Sequence, residues 1–484
     1  MHEFAIRNVQ IIDGTGGKAW RGDVGLEGGR ISEVGQVGRA SHEIDGQGHV
    51  LAPGFIDAHT HDDGALLNHP DMWFKTNQGI TTSIIGNCGF SAIGCRSGDG
   101  TAAVVFLDPD WDDLNGYRQA INAAPPAINA MPLVGHNTIR EAVVGTENRP
   151  ATDAELDQMR GMVRRAMEQG ACGFSAGLIY APGKWAPIDE LTTLATEAAP
   201  FGGIYACHMR DEYDQLLASV TETMDIGRTA GVPVQISHHK AAKRGNWGLV
   251  TESLAHIDAA VAAGQDVTLD AYPYTAGSGP MAQYFRDEID MEFAEGTQLS
   301  SCPNFPEYEG RMLFEIAETE GRSVEETIRR ILDAPGGDKT VVLTFLIGEE
   351  DVETNLRHPR VMIGSDGIPQ LEGRPHPRLV GTFPRVLGEY VRGRQVAPLE
   401  EMIRRMTSLP AGRFGLTGRG IIAEGNHADL VLFDRDLVTD VATFEDPKRL
   451  SVGIDLVLVS GQPVWTGDRS TDARPGAILH YRRD

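Results

Sequence analysis

No stretch of this 484-residue chain approaches the run of about 18 apolar residues that a membrane-spanning helix needs, so a membrane partner is not expected. Positive charge is scarce: 43 Lys and Arg stand against 68 Asp and Glu, a formal net charge of −25. No basic face should survive that excess, which excludes nucleic acid or another polyanion as a partner. An anionic small molecule stays open, because one buried Arg or Lys can reverse the potential locally. Cysteine is sparse too. Cys88, Cys95, Cys172, Cys207 and Cys302 are scattered rather than spaced as a disulfide framework. Residues 1–12 lack the basic and apolar regions of a secretory leader and run straight into a strand-like alternation. The expectation is a cytoplasmic protein in which a special cysteine is a ligand or nucleophile rather than half of a bridge. No internal repeat or low-complexity segment is apparent.

The length calls for more than one structural unit. Residues 1–52 read as short strands broken by Gly-rich turns, as in "FAIRNVQIIDGTG" and "GDVGLEGGRISEVG". Residues 416–484 read likewise, in "GIIAEGNHADLVLFD" and "VGIDLVLVSGQPVWTG". Two β-rich ends around a different middle predict one small β-sandwich built from both termini. Between them, residues 53–415 alternate apolar strand candidates with helical stretches, the pattern of an α/β unit with parallel strands. The candidates are "GFIDAHTH", "TTSIIGNCG", "ACGFSAGLIY", "GGIYACHMR", "VPVQISHHK", "DVTLDAYPY", "TVVLTFLIG" and "RVMIGSDG". Eight such strands are what a TIM-type (β/α)₈ barrel requires. More than sixty residues separate "DAYPYTAG" from "TVVLTFLIG", too many for a plain connection, so an inserted subdomain is expected at about 278–339.

The ends of these strands carry unusual side chains. His59 and His61 lie two apart and share a face. Cys88, His208, the pair His238 and His239, and Asp366 stand at the ends of four further strands. In a (β/α)₈ barrel the C-terminal strand ends meet at one mouth, so these groups should converge there. Imidazole, thiolate and carboxylate together suit Zn²⁺ better than Mg²⁺ or Ca²⁺. Each residue alone is a weak signal; five strand ends carrying such groups are a strong one.

"PGFIDAHTHDD", "IIGNCGFS", "HMRDEYD", "ISHHK", "YPYTAG", "MIGSDG" and "HPRLVGTFPRVLGEYVR" resemble the N-acyl-D-amino-acid deacylases, the D-aminoacylase branch of the amidohydrolase superfamily. The similarity covers nearly the whole chain, and "GNCG" and "SHHK" are its discriminating motifs. It implies a metallo-dependent hydrolase barrel in which a cysteine replaces the carboxylated lysine that bridges two metals in most of the superfamily. "ACGFSAGLIY", where that lysine would fall, contains none. The resemblance makes Cys88, His208 and His238 a tight zinc site, and His59, His61, Cys88 and Asp366 a weaker second position. It also selects His238 over His239.

The activity so implied is hydrolysis of an N-acyl-D-amino acid to a carboxylate and the free D-amino acid. Asp366 would act as general base and then acid, since an amide nitrogen must be protonated to leave. Arg378 and Lys240 would receive the substrate carboxylate, with Tyr180 and either Tyr272 or Tyr274 nearby. D-selectivity rests on the resemblance alone. "SGPMAQYFRDEID" departs from the more apolar loop of the family, so the substrate pocket stays open at this point. The alternative is a cyclic-amide hydrolase of the hydantoinase or dihydroorotase kind, which the missing lysine disfavours.

Overall fold

The computed structural model describes residues 2–286 and 288–481. Its centre is seeded by short apolar runs in which every residue is buried. These are Phe55–Asp57, Ile80–Ile85, Asn129–Pro132, Gly173–Gly177, Ile204–His208, Val234–Ile236, Val267–Ala271 and Val361–Ile363. Strands buried on both faces need helical cover, and parallel pairing with crossover helices provides it. Phe55–Asp57, Ile80–Ile85 and Asn129–Pro132 form one parallel sheet. A second parallel sheet runs from Val134–Gly135 through to Val361–Ile363.

On one side only Leu133 separates the two sheets. On the other, Ala58 N donates to Ile363 O at 3.1 Å, Asp366 N donates to His59 O at 2.8 Å, and Thr60 forms a lone parallel bridge with Gly367. Among the described residues no continuous ladder crosses this seam.

One expected strand belongs elsewhere. Val341–Thr344, from "TVVLTFLIG", is antiparallel to both Gly277–Pro280 and Thr297–Ser301 in a separate sheet. An apolar run of that length fits a parallel or an antiparallel place equally well. The place in the parallel system is filled by "NAMPLVG", residues 129–135. Pro132 hides it, because proline has no N–H to give the ladder and argues against a central strand. The antiparallel sheet has its own core, in which Met281, Phe285, Leu299, Leu313, Ile328, Ile331 and Val342 are buried together. It begins at Gly277 and ends at Thr344, wider than the expected insertion.

The two ends of the chain meet in one continuous nine-stranded sheet. Val50–Pro53 pairs in parallel with His2–Ile11 and antiparallel with Leu430–Phe433. The period of two divides its side chains. Leu51, Leu430, Leu432, Leu456 and Leu458 pack with Val24, Leu26 and Ile31, whereas Val50, Ala52, Val431, Phe433, Val457 and Val459 join the main core with Phe55 and Ile80. Among the described residues no helix is long and apolar enough to cross a membrane.

Residues 476–481 cross beside the third parallel strand like a strap. Ala130 N donates to Ala477 O at 2.9 Å, Leu479 N to Ala130 O at 2.7 Å, and Tyr481 N to Gly170 O at 2.9 Å. The strap needs glycine at 476, where a Cβ would stand 2.0 Å from the Ile128 carbonyl oxygen. Gly476→Ala should therefore lower stability by about 1–3 kcal/mol, the scale of lost backbone hydrogen bonds and local strain. Urea unfolding of the variant against the parent chain measures this, and a midpoint equal to the parent's would show that the strap carries no stability.

Candidate metal centre

Five strand ends bring the ligand-type side chains together. His59 and His61 follow Phe55–Asp57, Cys88 sits in the 3₁₀ turn Asn87–Gly89 after Ile80–Ile85, and His208 ends Ile204–His208. His238 and Asp366 come two and three residues after Val234–Ile236 and Val361–Ile363. Cys88 Sγ lies 3.2 Å from His59 Nε2, 3.6 Å from His208 Nδ1 and 3.4 Å from His238 Nε2. Asp366 Oδ1 lies 3.1 Å from His61 Nε2 and 3.6 Å from His59 Nε2. Sulfur and nitrogen ligands on a tetrahedral zinc, with bonds near 2.3 and 2.0–2.1 Å, are roughly 3.5 Å apart. The contacts around Cys88 match that spacing. Three overlapping sets have ligand atoms all within 4.8 Å of one another: His59, His61 and Cys88; Cys88, His208 and His238; His59, His238 and Asp366.

The backbone is bent to aim these groups. Cys88, His238 and Asp366 have φ of +53°, +31° and +49°, a left-handed region that costs a side-chain-bearing residue about 1–2 kcal/mol. Local hydrogen bonds hold each one. Gly86 N and Ala92 N, on either side of Cys88, both donate to the Asp63 carboxylate, at 3.1 and 2.9 Å. His238 N donates to Asp270 Oδ1 at 2.8 Å, and Asp366 N to the His59 carbonyl.

Electrostatics fit a cation. Burial, reinforced by Lys240, holds His238 well below the usual imidazole range; burial does the same for His208, so both are neutral, the form that ligates. Burial, with Asp366, Glu212 and Asp270 adding to it, pushes the Cys88 thiol well above its ordinary range. Burial alone would raise the Asp366 carboxyl, but the Arg378 guanidinium and nearby imidazoles outweigh it and hold it well below the usual carboxylate range.

A second layer of carboxylates, not anticipated from the sequence, faces the imidazoles. Glu212 lies 3.4 Å from His208 Nε2 and 2.9 Å from His238 Nδ1. Asp270 lies 3.2 Å from His59 Nδ1. These are contacts of charge rather than hydrogen bonds: His59 Nδ1 and His208 Nε2 have no hydrogen-bond partner, and His238 Nδ1 accepts from Lys240 Nζ at 2.9 Å. Their signals were present: Glu212 is four residues after His208 in "HMRDE", and Asp270 ends the run "VTLD". His239 is held away from the centre by Asn355 and Ser253, at 2.7 and 2.8 Å.

Beside the centre opens a narrow cleft lined by Tyr180, Lys240, Tyr272 and Asp366 among others. The Tyr180 ring packs on His208 with centroids 4.6 Å apart. Lys240 Nζ donates to Glu212 Oε1 at 2.6 Å. Arg378 is fully buried, with Nη2 2.9 Å from Asp366 Oδ2 and 3.5 Å from the Ser278 carbonyl, while its Nε and Nη1 make no hydrogen bond. Tyr272 lies under the Arg378 guanidinium, 4.5 Å from ring centroid to Cζ. Tyr274 does not join it: its ring packs against His376 and beneath Arg385, outside the cleft. The strand ends at Ala271, so the alternation that gave both tyrosines one face stops before them.

Residues 42–465 match the amidohydrolase family. The chain is 43% identical to a D-aminoacylase of Alcaligenes xylosoxydans xylosoxydans over 475 residues, 97% of this chain and 96% of that protein. It is 41% identical to an N-acyl-D-aspartate deacylase of the same organism over 484 residues, 99% of this chain and 95% of that protein. It is also similar to the crystal structure of an N-acyl-D-glutamate deacylase from Bordetella bronchiseptica, complexed with zinc and a phosphonate mimic of the reaction's tetrahedral intermediate. That structure shares 39% identity and a TM-score of 0.92, covering 99% of each chain.

Cys88→Ala removes the one atom common to the contacts with His59, His208 and His238. The purified variant should hold far less than one equivalent of zinc after dialysis, by elemental analysis. Full occupancy would take Cys88 out of the centre.

Proposed function

The chain belongs to the amidohydrolase family, and from that premise we propose that it hydrolyses N-acyl-D-amino acids to a carboxylate and a free D-amino acid. The observation that carries this reading is the buried Cys88 thiol among three imidazoles with Asp366 beside them. In the same reading the two parallel sheets are one TIM-type (β/α)₈ catalytic barrel over residues 53–415, and 1–52 with 416–484 make a β-sandwich against it. The five free cysteines support a reducing cytoplasm as the site of action.

Cys88, His208 and His238 would hold a zinc ion tightly, and His59, His61, Cys88 and Asp366 a second one more weakly. A bound zinc supplies Lewis acidity, which polarises an amide carbonyl and makes water acidic enough to attack near neutral pH. The protein's own groups do the rest. Asp366, held ionised by Arg378, accepts the proton of the attacking water and returns it to the amide nitrogen as the C–N bond breaks. The free donors of Arg378, with Lys240, receive the substrate carboxylate by charge-assisted hydrogen bonds. Tyr180 and Tyr272 bound the same space.

The rest of the cleft supports an apolar D-side chain such as Leu, Met or Phe. Ile179, Tyr213, Ala242, Phe293, Leu346 and Ile347 line it, and Lys240 is the one Lys or Arg among the lining residues. An acidic D-side chain would find no cation there beyond the two assigned to the α-carboxylate. The cyclic-amide alternative has no observation in its favour: Gly173–Gly177 offers no bridging lysine.

A panel of N-acetyl-D- and L-amino acids, with a hydantoin as control, tests the reading. D-Leu, D-Met and D-Phe derivatives should turn over fastest. Faster hydrolysis of the L-enantiomers, or of the hydantoin, would overturn it.

Asp366→Asn keeps the shape of the side chain but cannot shuttle a proton. It should retain the tight zinc and the fold while kcat drops by about 10²–10⁴. Wild-type kcat in a zinc-replete, folded variant would refute the proton-transfer role.

A further inference from the structure

The ligands fall into two groups by what stands behind them. His208 and His238 lean on Glu212. His59 also has Asp270 beside its Nδ1, but the segments that carry His59, His61 and Asp366 share a further support that converges on a single atom. Lys75, on the short helix Trp73–Thr76, is fully buried. Its Nζ lies 2.8 Å from Asp57 Oδ2, 3.2 Å from Asp62 Oδ2 and 3.0 Å from Ser365 Oγ. Asp57 is two residues before His59, Asp62 directly follows His61, and Ser365 directly precedes Asp366. Asp57 Oδ1 also accepts from Ser365 N at 2.7 Å. The ammonium thus sits where the first and last parallel strands meet with only scattered backbone hydrogen bonds between them.

Resting on the zinc reading above, we propose that Lys75 is the positioning residue for the second metal position. It is a fixed internal cation that draws the segments carrying His59 and His61 against the segment carrying Asp366. Lys75 has no contact with the cleft, so it is not a catalytic group. Its neighbours would otherwise be two buried carboxylates without a counter-charge, which is strongly unfavourable. The Cys88 turn has clamps of its own in Asp63 and Ser175, and the Lys75 network reaches its strand only through the Ser83 Oγ bond to Asp62. The tight site should therefore be nearly blind to Lys75, and the second position sensitive to it. Outer residues that orient ligands are worth about 10–100-fold in metal affinity.

The test is a zinc titration of the chelator-stripped full chain by calorimetry, with chelator competition for the tight site. Ser365→Ala removes one arm of the network, along with the bond its hydroxyl accepts from Gly367 N at 3.1 Å; Lys75→Met removes the cation. Both should bind the first zinc within about threefold of wild type and the second at least tenfold more weakly, an effect at the low end of the range for outer residues. Ser365→Ala should keep the unfolding midpoint of the one-zinc form, so it decides the matter should Lys75→Met fail to fold. Unchanged second-zinc affinity in Ser365→Ala overturns the proposal. Equal weakening of both sites also overturns it, since that is what a general structural defect gives. A wild-type chain that binds one zinc and no second sinks this inference but leaves the tight-site reading standing; one that binds none sinks both.

Discussion

The contact between the Cys88 sulfur and three imidazole nitrogens is the constraint around which the rest of the molecule is arranged. It draws side chains from separate strand ends into one buried space, and it does so amid many carboxylates. Each cation there has an assigned partner: Lys75 with Asp57 and Asp62, Lys240 with Glu212, Arg378 with Asp366. Burying charges is tolerable only when they are paired, and in these pairs the partners also aim the ligands. Charge balance and ligand geometry are one solution here.

The separately packed antiparallel unit is tied to the same chemistry. The segment after Asp366 is stitched to it, since Arg374 N donates to Ser300 O at 2.8 Å and Ser300 Oγ donates to Arg374 O at 2.8 Å. Gln370 Nε2 donates to Ser301 Oγ at 2.9 Å. The unit also brings Phe293, Thr344 and Leu346 to the cleft. The lining of the cleft and the loop that carries Asp366 are therefore mechanically continuous.

The centre was largely legible in the sequence because strand ends put informative residues next to apolar runs. His-x-His, "GNCG", "SHHK" and "GSDG" each follow such a run, and the structure brings all their ligand candidates together. What was missed was missed for local reasons. Asn129–Gly135 is a central strand interrupted by a proline, so its pattern argues against itself. "TVVLTFLIG" has a composition that does not distinguish one sheet from another. Tyr274 follows the end of its strand, where alternation no longer predicts direction. Lys75 sits in a four-residue helix, too short to show any periodicity, and its burial arises wholly from partners more than ten residues away.

The left-handed backbone at Cys88, His238 and Asp366 has an evolutionary consequence. Glycine alone occupies that region without a steric penalty, so a change to glycine there would relieve about 1–2 kcal/mol of backbone cost. At Asp366 the same change would strand the fully buried Arg378 guanidinium, which costs about 3–5 kcal/mol, and at any of the three it would leave a cavity. The bent backbone is thus locked in by the groups around it, so a lineage released from selection for hydrolysis cannot shed these residues one at a time without destabilising the fold.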